Sequence, residues 1–591
     1  MRMRSGMLAA VLAVIFLVSM TACGGGQSGD KNGASTTAST VAAASAVPDT
    51  SSQQATAIEI KKDPVTVTWF GGVSRSNYIT TGIQDDAIMN QIKEKTGVTI
   101  DHTPSIGVSD FYQSATLLIA SQDLPDVMLV ANAALREAVL NAKLAKPLDD
   151  LIKTNGQELE KNVGKALRAS KLLKSDDTHA LYFIPHNVDL SDLQIKGGRV
   201  LDNGYNIRWD LYKKLGCPQI TNDDEFLKVL QDMVGLEPQN VSGKPTYGLG
   251  VFLAEQWGNH MIDKAHGAYK GIVQMTTNVS IDVSKDKIVA RVTDPDSVMW
   301  ESMFFYNKAY RLGLLDPESL TLKFDAFMNK AKTGRYMAAE CNWTLGGADA
   351  QFIKRGTPEK GYVPLVYATT GNASFGTTQG IGDQNVMFIS NSCKNADRVM
   401  DVFNYLAGDE GARLLLSGPE GFLYDMKDGK RVIKPETVEI YRTDAKFAEN
   451  YGPGKYSNMQ IRAGKDSEGD YLNLLMWPEV QNIAITDAQK DYLAYRKQDT
   501  MLEDLAKYKY AVYDMGLITS ISIPQGSDSS KIILQADEYF QNNYAKAIVA
   551  KSEADYNKIK DEIISKCKAL GFEQEVTIYS EQYEKYKGQI N

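Results

Sequence analysis

Five histidines and five cysteines are spread over 591 residues, beside 73 aspartates and glutamates. His260 and His266 stand six apart with Asp263 as the carboxylate between them. That spacing matches neither one helix face nor a zinc clamp, so a solvated loop is expected there and no metal. The chain has no Gly-x-x-x-x-Gly-Lys-Ser/Thr loop, no Gly-x-Gly-x-x-Gly after a strand, no Gly-x-Ser-x-Gly elbow, no His-Glu-x-x-His and no Cys-x-x-Cys. Carboxylates could supply a glycosidase-like pair, but nothing singles out two of them. Binding without chemical change, and without a cofactor, is therefore favoured over catalysis.

Hydrophobic residues make up 43% and charged residues 23%, the composition of a folded globular protein. The length allows two large lobes or three to four domains. A formal net charge of −9 is unsuited to tracking a phosphate backbone, so no nucleic-acid partner is expected. Cys217, Cys341, Cys393 and Cys567 are too scattered for a disulfide scaffold.

Arg2 and Arg4 precede the apolar run Met7–Met20, which has signal-peptide length and is short for a bilayer span. The run ends Ser19-Met20-Thr21-Ala22-Cys23, small residues before a single cysteine, as in a bacterial lipobox. Residues 1–22 are thus read as a lipoprotein signal peptide and Cys23 as the acylated first residue of the mature chain. Two acyl chains there would anchor it stably to the cell membrane. The alternative is an ordinary signal peptide with an incidental cysteine. Residues 23–62 are rich in Gly, Ser, Thr and Ala, lack aromatic residues, and read as a disordered tether.

From residue 63 onward the pattern changes to folded elements. Val65–Phe70 reads as a strand, Ile83–Thr96 as a helix closed by Gly97, Val98–His102 as a second strand, and Asp126–Val130 as a third after the helix that Asp110 can cap. Alternating units of this kind imply parallel pairing in an α/β domain. Later elements are a short strand at Leu181–Pro185, helices over 296–312, 396–407 and 553–570, and strands at Arg335–Glu340 and Met387–Ser390. Residues 425–535 are the least legible; Asp428-Gly429 signals a hairpin turn.

The ordered set of these segments resembles the bacterial extracellular solute-binding proteins of the maltose-binding type. The residues that carry it are Ala120–Asp126, Tyr182–Pro185, Asn206–Gly216, Gly313–Glu318, Lys332–Trp343 and Asn395–Gly411. The tail Lys546–Tyr586 resembles the LipO-like lipoprotein branch, which is linked to oligosaccharide uptake. The resemblance implies an α/β, two-lobed, periplasmic-binding-protein-like clamshell of type II, with a hinge crossed more than once. Lobe 1 is expected to comprise 63–185 with 372–425, and lobe 2, helix-rich, 186–371 with 426–591. It also implies an extracytoplasmic, monomeric, non-enzymatic component of an ABC importer. Such a component captures a carbohydrate in the interlobe cleft and hands it to a membrane permease. A cell-surface carbohydrate-active enzyme, and a sensor using the same clamshell, are the alternatives.

Open parallel sheets bind ligands beyond the carboxyl ends of their strands. The loops meeting that rule are Gly71–Ser76, Ala131–Ala134 and Cys341–Thr344. Sugars need aromatic plates and planar hydrogen-bonding groups. The expected ligand contacts are accordingly Trp343 with Asn342, Trp257 with Glu255 and Gln256, and Arg75 and Asn132. Trp69 and Trp477 are further candidates, Trp69 with a core position as its alternative. Trp300 is expected in the core, and Cys567 as a buried thiol.

Overall fold

The computed structural model describes residues 63–71, 81–103, 108–189, 203–345, 347–378, 380–444, 447, 451, 453–477, 480, 485–524 and 526–590. Cys23, Arg75 and the leader and tether expected over 1–62 lie outside the described residues.

Eight strands build two sheets: β1 (Val65–Phe70), β2 (Val98–Asp101), β3 (Val127–Val130), β4 (Ile184–Pro185), β5 (Asn206–Arg208), β6 (Ala338–Ala339), β7 (Tyr362–Pro364) and β8 (Val386–Ile389). In the first sheet the order is β2-β1-β3-β8-β4. β1 pairs in parallel with β2 and β3, in the registers Val65↔Val98 and Trp69↔Val127. β8 runs antiparallel to both β3 and β4. Every residue of β3 (VMLV) and β8 (VMFI) is buried, because helices cover both faces of these central strands. The helix Ala87–Thr96 is set by Asp86, whose side chain accepts the Met89 amide, and is closed by Gly97 at φ 69°, the left-handed conformation glycine adopts without strain.

The second sheet repeats the plan. β5 lies antiparallel between β6 and β7. Beyond β6, single parallel bridges add Tyr247 (to Tyr336) and Leu315 (to Leu249). Each sheet therefore has three parallel segments, one antiparallel strand and a fifth running with the first three.

This topology fixes which edges meet. β4 ends at the carboxyl edge of the first sheet, and β5, being antiparallel, starts at the carboxyl edge of the second. The return runs from the end of β7 to the start of β8, again carboxyl edge to carboxyl edge. The two edges that bear loops for binding are thus the ones joined by the crossings. The crossings are strapped in pairs: Val188–Asp189 pairs in parallel with Arg462–Ala463, and Asn372–Thr378 with Lys509–Asp514.

Each sheet has its own core. The first gathers Trp69, Phe70, Phe183, Phe388 and Phe403; the second gathers Tyr205, Trp209, Phe226, Trp300 and Phe540. Trp300 and Cys567 are buried in the second core, as their helical faces predict. The expected lobe boundaries need correction. Tyr456, Met459 and Ile461 pack in the first core, and the Ser417 hydroxyl bridges the Leu472 carbonyl and the Leu474 amide, each at 2.7 Å. Residues 456–474 therefore pack with the first sheet, whereas Ile485, Tyr492 and the helices Asp528–Ile548 and Glu553–Ala569 pack with the second. The hairpin Tyr424–Lys427 with Lys430–Ile433 turns through Asp428 (φ 52°) and Gly429 (φ 74°), as the Asp-Gly pair predicts.

A third cluster ties the halves together: Ala169 and Leu173 from the first half pack with Val279, Ile281, Leu517 and Tyr583. Beside it Arg136 donates to the Gln384 carbonyl at 3.2 Å and the Thr519 carbonyl at 2.7 Å. Lys174 is buried there, its Nζ without a hydrogen-bond partner among the described residues. Burial and the Arg136 charge push its pKa down to about 7, against Asp383 and Asp514. The folded chain thus holds fewer protons than the unfolded one between that value and the ordinary lysine range. Wild-type stability should gain from this lysine as pH rises from about 7 to 10. Lys174→Met is expected to be more stable than wild type at pH 7, by a margin that narrows over the same interval. Denaturant titrations at three pH values measure it, and a constant margin contradicts the assignment.

Candidate functional site

Three segments leave the carboxyl edge of the second sheet and converge. After β6 the chain tightens: the Cys341 carbonyl accepts the Thr344 amide at 3.2 Å and its hydroxyl at 2.7 Å. The resulting 3-10 turn Asn342–Leu345 swings Trp343 outward, leaving it 43% exposed. After the segment 247–251 the chain doubles back through a second 3-10 turn, Gln256–Met261, which carries Trp257. Only glycine fits at position 258, where a Cβ would lie 2.0 Å from the Phe252 carbonyl oxygen. The third segment opens the helix Phe324–Lys332, and Glu255 Oε1 accepts the Phe324 amide at 3.2 Å.

The rings meet as a platform. Trp257 and Trp343 lie 6.4 Å apart at 23°, near-parallel plates. Phe324 stands 5.1 Å from Trp257 and 5.7 Å from Trp343, and Phe252 supports Trp257 at 4.6 Å. Half-buried Asn342 has its Oδ1 buried with no hydrogen-bond partner among the described residues. The arrangement joins a broad apolar face to an amide and a carboxylate. Four of the expected contacts, Trp343, Asn342, Trp257 and Glu255, come together here, and Gln256 opens the same turn.

A buried ion pair holds the Trp257 turn. Arg291 donates from Nε and Nη2 to the two Asp263 oxygens, each at 2.9 Å, and from Nη2 to the Asn259 carbonyl at 2.9 Å. Burial works to raise Asp263, but the Arg291 charge and its hydrogen bonds hold the carboxyl below its ordinary range. Burial also pushes His260 down to about 3, so its ring is neutral. The solvated loop expected around the histidines is in fact packed: His266 is buried and its Nε2 lies 3.0 Å from Asp223 Oδ1.

On the first sheet, Asn132 caps the helix Ala133–Asn141, its Oδ1 accepting the Leu135 amide at 2.8 Å. It stands at the carboxyl end of β3, as expected, with a capping role. Two expected contacts need correction. Trp69 is 0% exposed and meets Phe403 edge-on at 5.4 Å, so it is core; strand alternation turns it inward with Val67. Trp477 is 4% exposed, with its indole N–H on the Tyr471 carbonyl at 2.8 Å and Tyr424 across its face at 5.2 Å. Neither indole can stack on a ligand.

Elsewhere Asp466, Glu468 and Asp470 gather as metal-sized carboxylates. Arg413 and Arg431 already neutralise them, Arg431 lying 2.9 Å from Asp470 and 3.3 Å from Asp466. A surface groove of about 380 Å³ beside Trp209 is lined by the Lys213–Asp491 ion pair and is remote in sequence from the platform turns.

Sequence reasoning missed Phe252 and Phe324. Phe252 follows the segment 247–251 and could be placed by that segment's end; Phe324 carries no local signal, since only convergence of three loops makes it part of the platform.

No protein-family profile matches the chain, and no curated protein matches it. Solved structures do. An alginate-binding protein, AlgQ2, in its calcium-free form is 18% identical with a TM-score of 0.57, over 88% of this chain and 98% of that one. The ABC-transporter substrate-binding protein FusA of S. pneumoniae, in complex with kestose, is 16% identical with a TM-score of 0.56, over 89% and 100%. An HMO-binding, ABC-transporter-associated solute-binding protein from Bifidobacterium longum infantis is 14% identical with a TM-score of 0.57, over 89% and 99%. The fold is that of an extracellular solute-binding protein. The solute-binding fold, a clamshell of two α/β lobes, explains the duplicated sheet plan and the repeated crossings. Among the described residues no helix is long and apolar enough to cross a membrane.

Proposed function

We propose that this chain is the substrate-binding component of an ABC importer. It captures a carbohydrate, an oligosaccharide by our reading, between its lobes and passes it unaltered to a membrane permease. The observation that carries this is the Trp257–Trp343 platform at the carboxyl edge of the second sheet, beside Asn342 and Glu255. Indole faces stack on the C–H faces of sugar rings, and the amide and carboxylate take hydroxyls. The structural neighbours support it, being binding proteins whose names specify alginate, kestose and HMO. A ligand touching both lobes favours the closed state by its differential contacts, so closure would report occupancy to the permease. Acylation at Cys23, with the 23–62 segment as tether and the protein a monomer outside the cytoplasmic membrane, completes the reading.

A thermal-shift screen with neutral fructo-, manno- and milk-type oligosaccharides and with uronate oligomers tests it. A cognate carbohydrate at 100 times its dissociation constant should stabilise the protein by about 2.7 kcal/mol. A complete absence of shifts across the panel, with amino acids or peptides shifting instead, contradicts the carbohydrate reading. Release of shortened product on prolonged incubation would favour the enzyme alternative.

A further inference from the structure

Glu340 directly follows β6 and precedes the platform turn. Strand alternation turns Ala338 into the second core and Glu340 the same way, a carboxyl where the pattern calls for an apolar side chain. It is 6% exposed, and among the described residues neither of its oxygens has a hydrogen-bond partner. The hydroxyls of Tyr306 and Tyr205, both fully buried, also lack partners among the described residues. Tyr306 adjoins the Glu340 carboxyl, and Tyr205 adjoins Tyr306. Three buried, chemically complementary groups therefore lie together behind the turn that carries Trp343.

An ionised carboxylate without a partner in such a place costs far more than retaining its proton. The charged groups facing it leave that balance in place. Asp263, two residues past the Trp257 turn, is acidic and taken by Arg291; Lys264, at the head of the next helix, acts most weakly. Burial raises Glu340 well above the ordinary carboxylate range, with the Tyr306 hydroxyl opposing. The backbone around Glu340 joins two parts of the clamshell: its carbonyl accepts the Gly204 amide at 2.8 Å, where the first crossing enters the second sheet, and the next residue, Cys341, closes the platform turn.

We propose that Glu340 is a positioning residue for the platform: as a neutral carboxylic acid set against the Tyr306 hydroxyl, which in turn adjoins Tyr205, it fixes the end of β6 from which Asn342 and Trp343 project. Its acid O–H donates and its carbonyl oxygen accepts, which are the two functions the phenol hydroxyls need and an ionised carboxylate cannot both supply. The inference rests on the platform being the binding surface.

The test uses the full chain without ligand, so that it does not depend on which solute binds. The infrared difference between wild type and Glu340→Gln at neutral pH should show the carbonyl band of one protonated carboxylic acid; its absence overturns the proposal. The native chain keeps a proton that the unfolded chain releases above about pH 4.3, so wild-type stability should fall relative to Glu340→Gln as pH rises above that value. Parallel stability curves overturn it. Amide exchange over 341–345 should be about tenfold faster in Glu340→Leu than in wild type and near wild type in Glu340→Gln. Exchange in Gln as fast as in Leu overturns it. Should the leucine variant fail to fold, the infrared and pH measurements on Glu340→Gln decide alone. Positive results here with a blank carbohydrate screen would remove the sugar reading and leave Glu340 as assigned.

Discussion

Arg291→Met is expected to cost about 3–5 kcal/mol of folding stability, the largest effect of any single change considered. Asp263 and Arg291 are both essentially sealed from solvent, and removing the guanidinium leaves a buried carboxylate without its counter-charge and takes one donor from each of the Asn259 and Thr277 carbonyls. Asp263→Asn should also be strongly destabilising, because the guanidinium then lies buried without its counter-charge, although the amide oxygen retains one acceptor for it. Urea unfolding of both single variants and the pair measures this. Because the two residues share one interaction, the double variant should be much less destabilised than the sum of the singles. Additive losses would mean that the pair does not act as a unit. The consequence reaches the platform, since the same pair holds the turn on which Trp257 sits.

Trp343→Ala is expected to weaken carbohydrate binding by about 1–3 kcal/mol while the fold survives. Its partial exposure makes the two outcomes separable: truncation removes a plate that faces solvent, whereas the rings beneath it, Trp257 and Phe324, remain supported by Phe252. Trp343→Phe should retain part of the affinity, since a smaller ring still stacks. Calorimetry with the carbohydrate that gives the greatest thermal shift, alongside an unfolding curve for each variant, checks both halves. Unchanged affinity in the alanine variant would take Trp343 out of the binding surface.

The positions of the two platform indoles were legible from the order of the residues. Trp343 and Trp257 could be placed because each follows an extended segment of an α/β unit, and ligands collect beyond such carboxyl ends. Trp69 and Trp477 show where that reasoning stops. Trp69 lies near the carboxyl end of β1, yet it and its neighbour Phe70 are both fully buried, because the strand end is covered on both faces and neither is left for a ligand. Trp477 lies in a stretch without periodicity, where its burial against Tyr424 depends on a hairpin some fifty residues earlier. Residues 456–474 were assigned to the wrong half for the same reason: their partners, Val188 and Ser417, are distant in sequence and no local pattern announces them.

Alternation of apolar residues, Gly97 and Asp86 at helix ends, and the Asp428-Gly429 turn are decided by neighbours within a few positions, so the residue order alone specifies those elements and the α/β class they compose. Which aromatic rings form a common face, which lysine loses its water beside the third cluster and which glutamate is shut behind the platform depend on contacts between segments up to several hundred residues apart. Those contacts follow from sheet register and loop convergence, and burial sets their energies, because a polar or charged group changes character only once its solvent is replaced by specific neighbours.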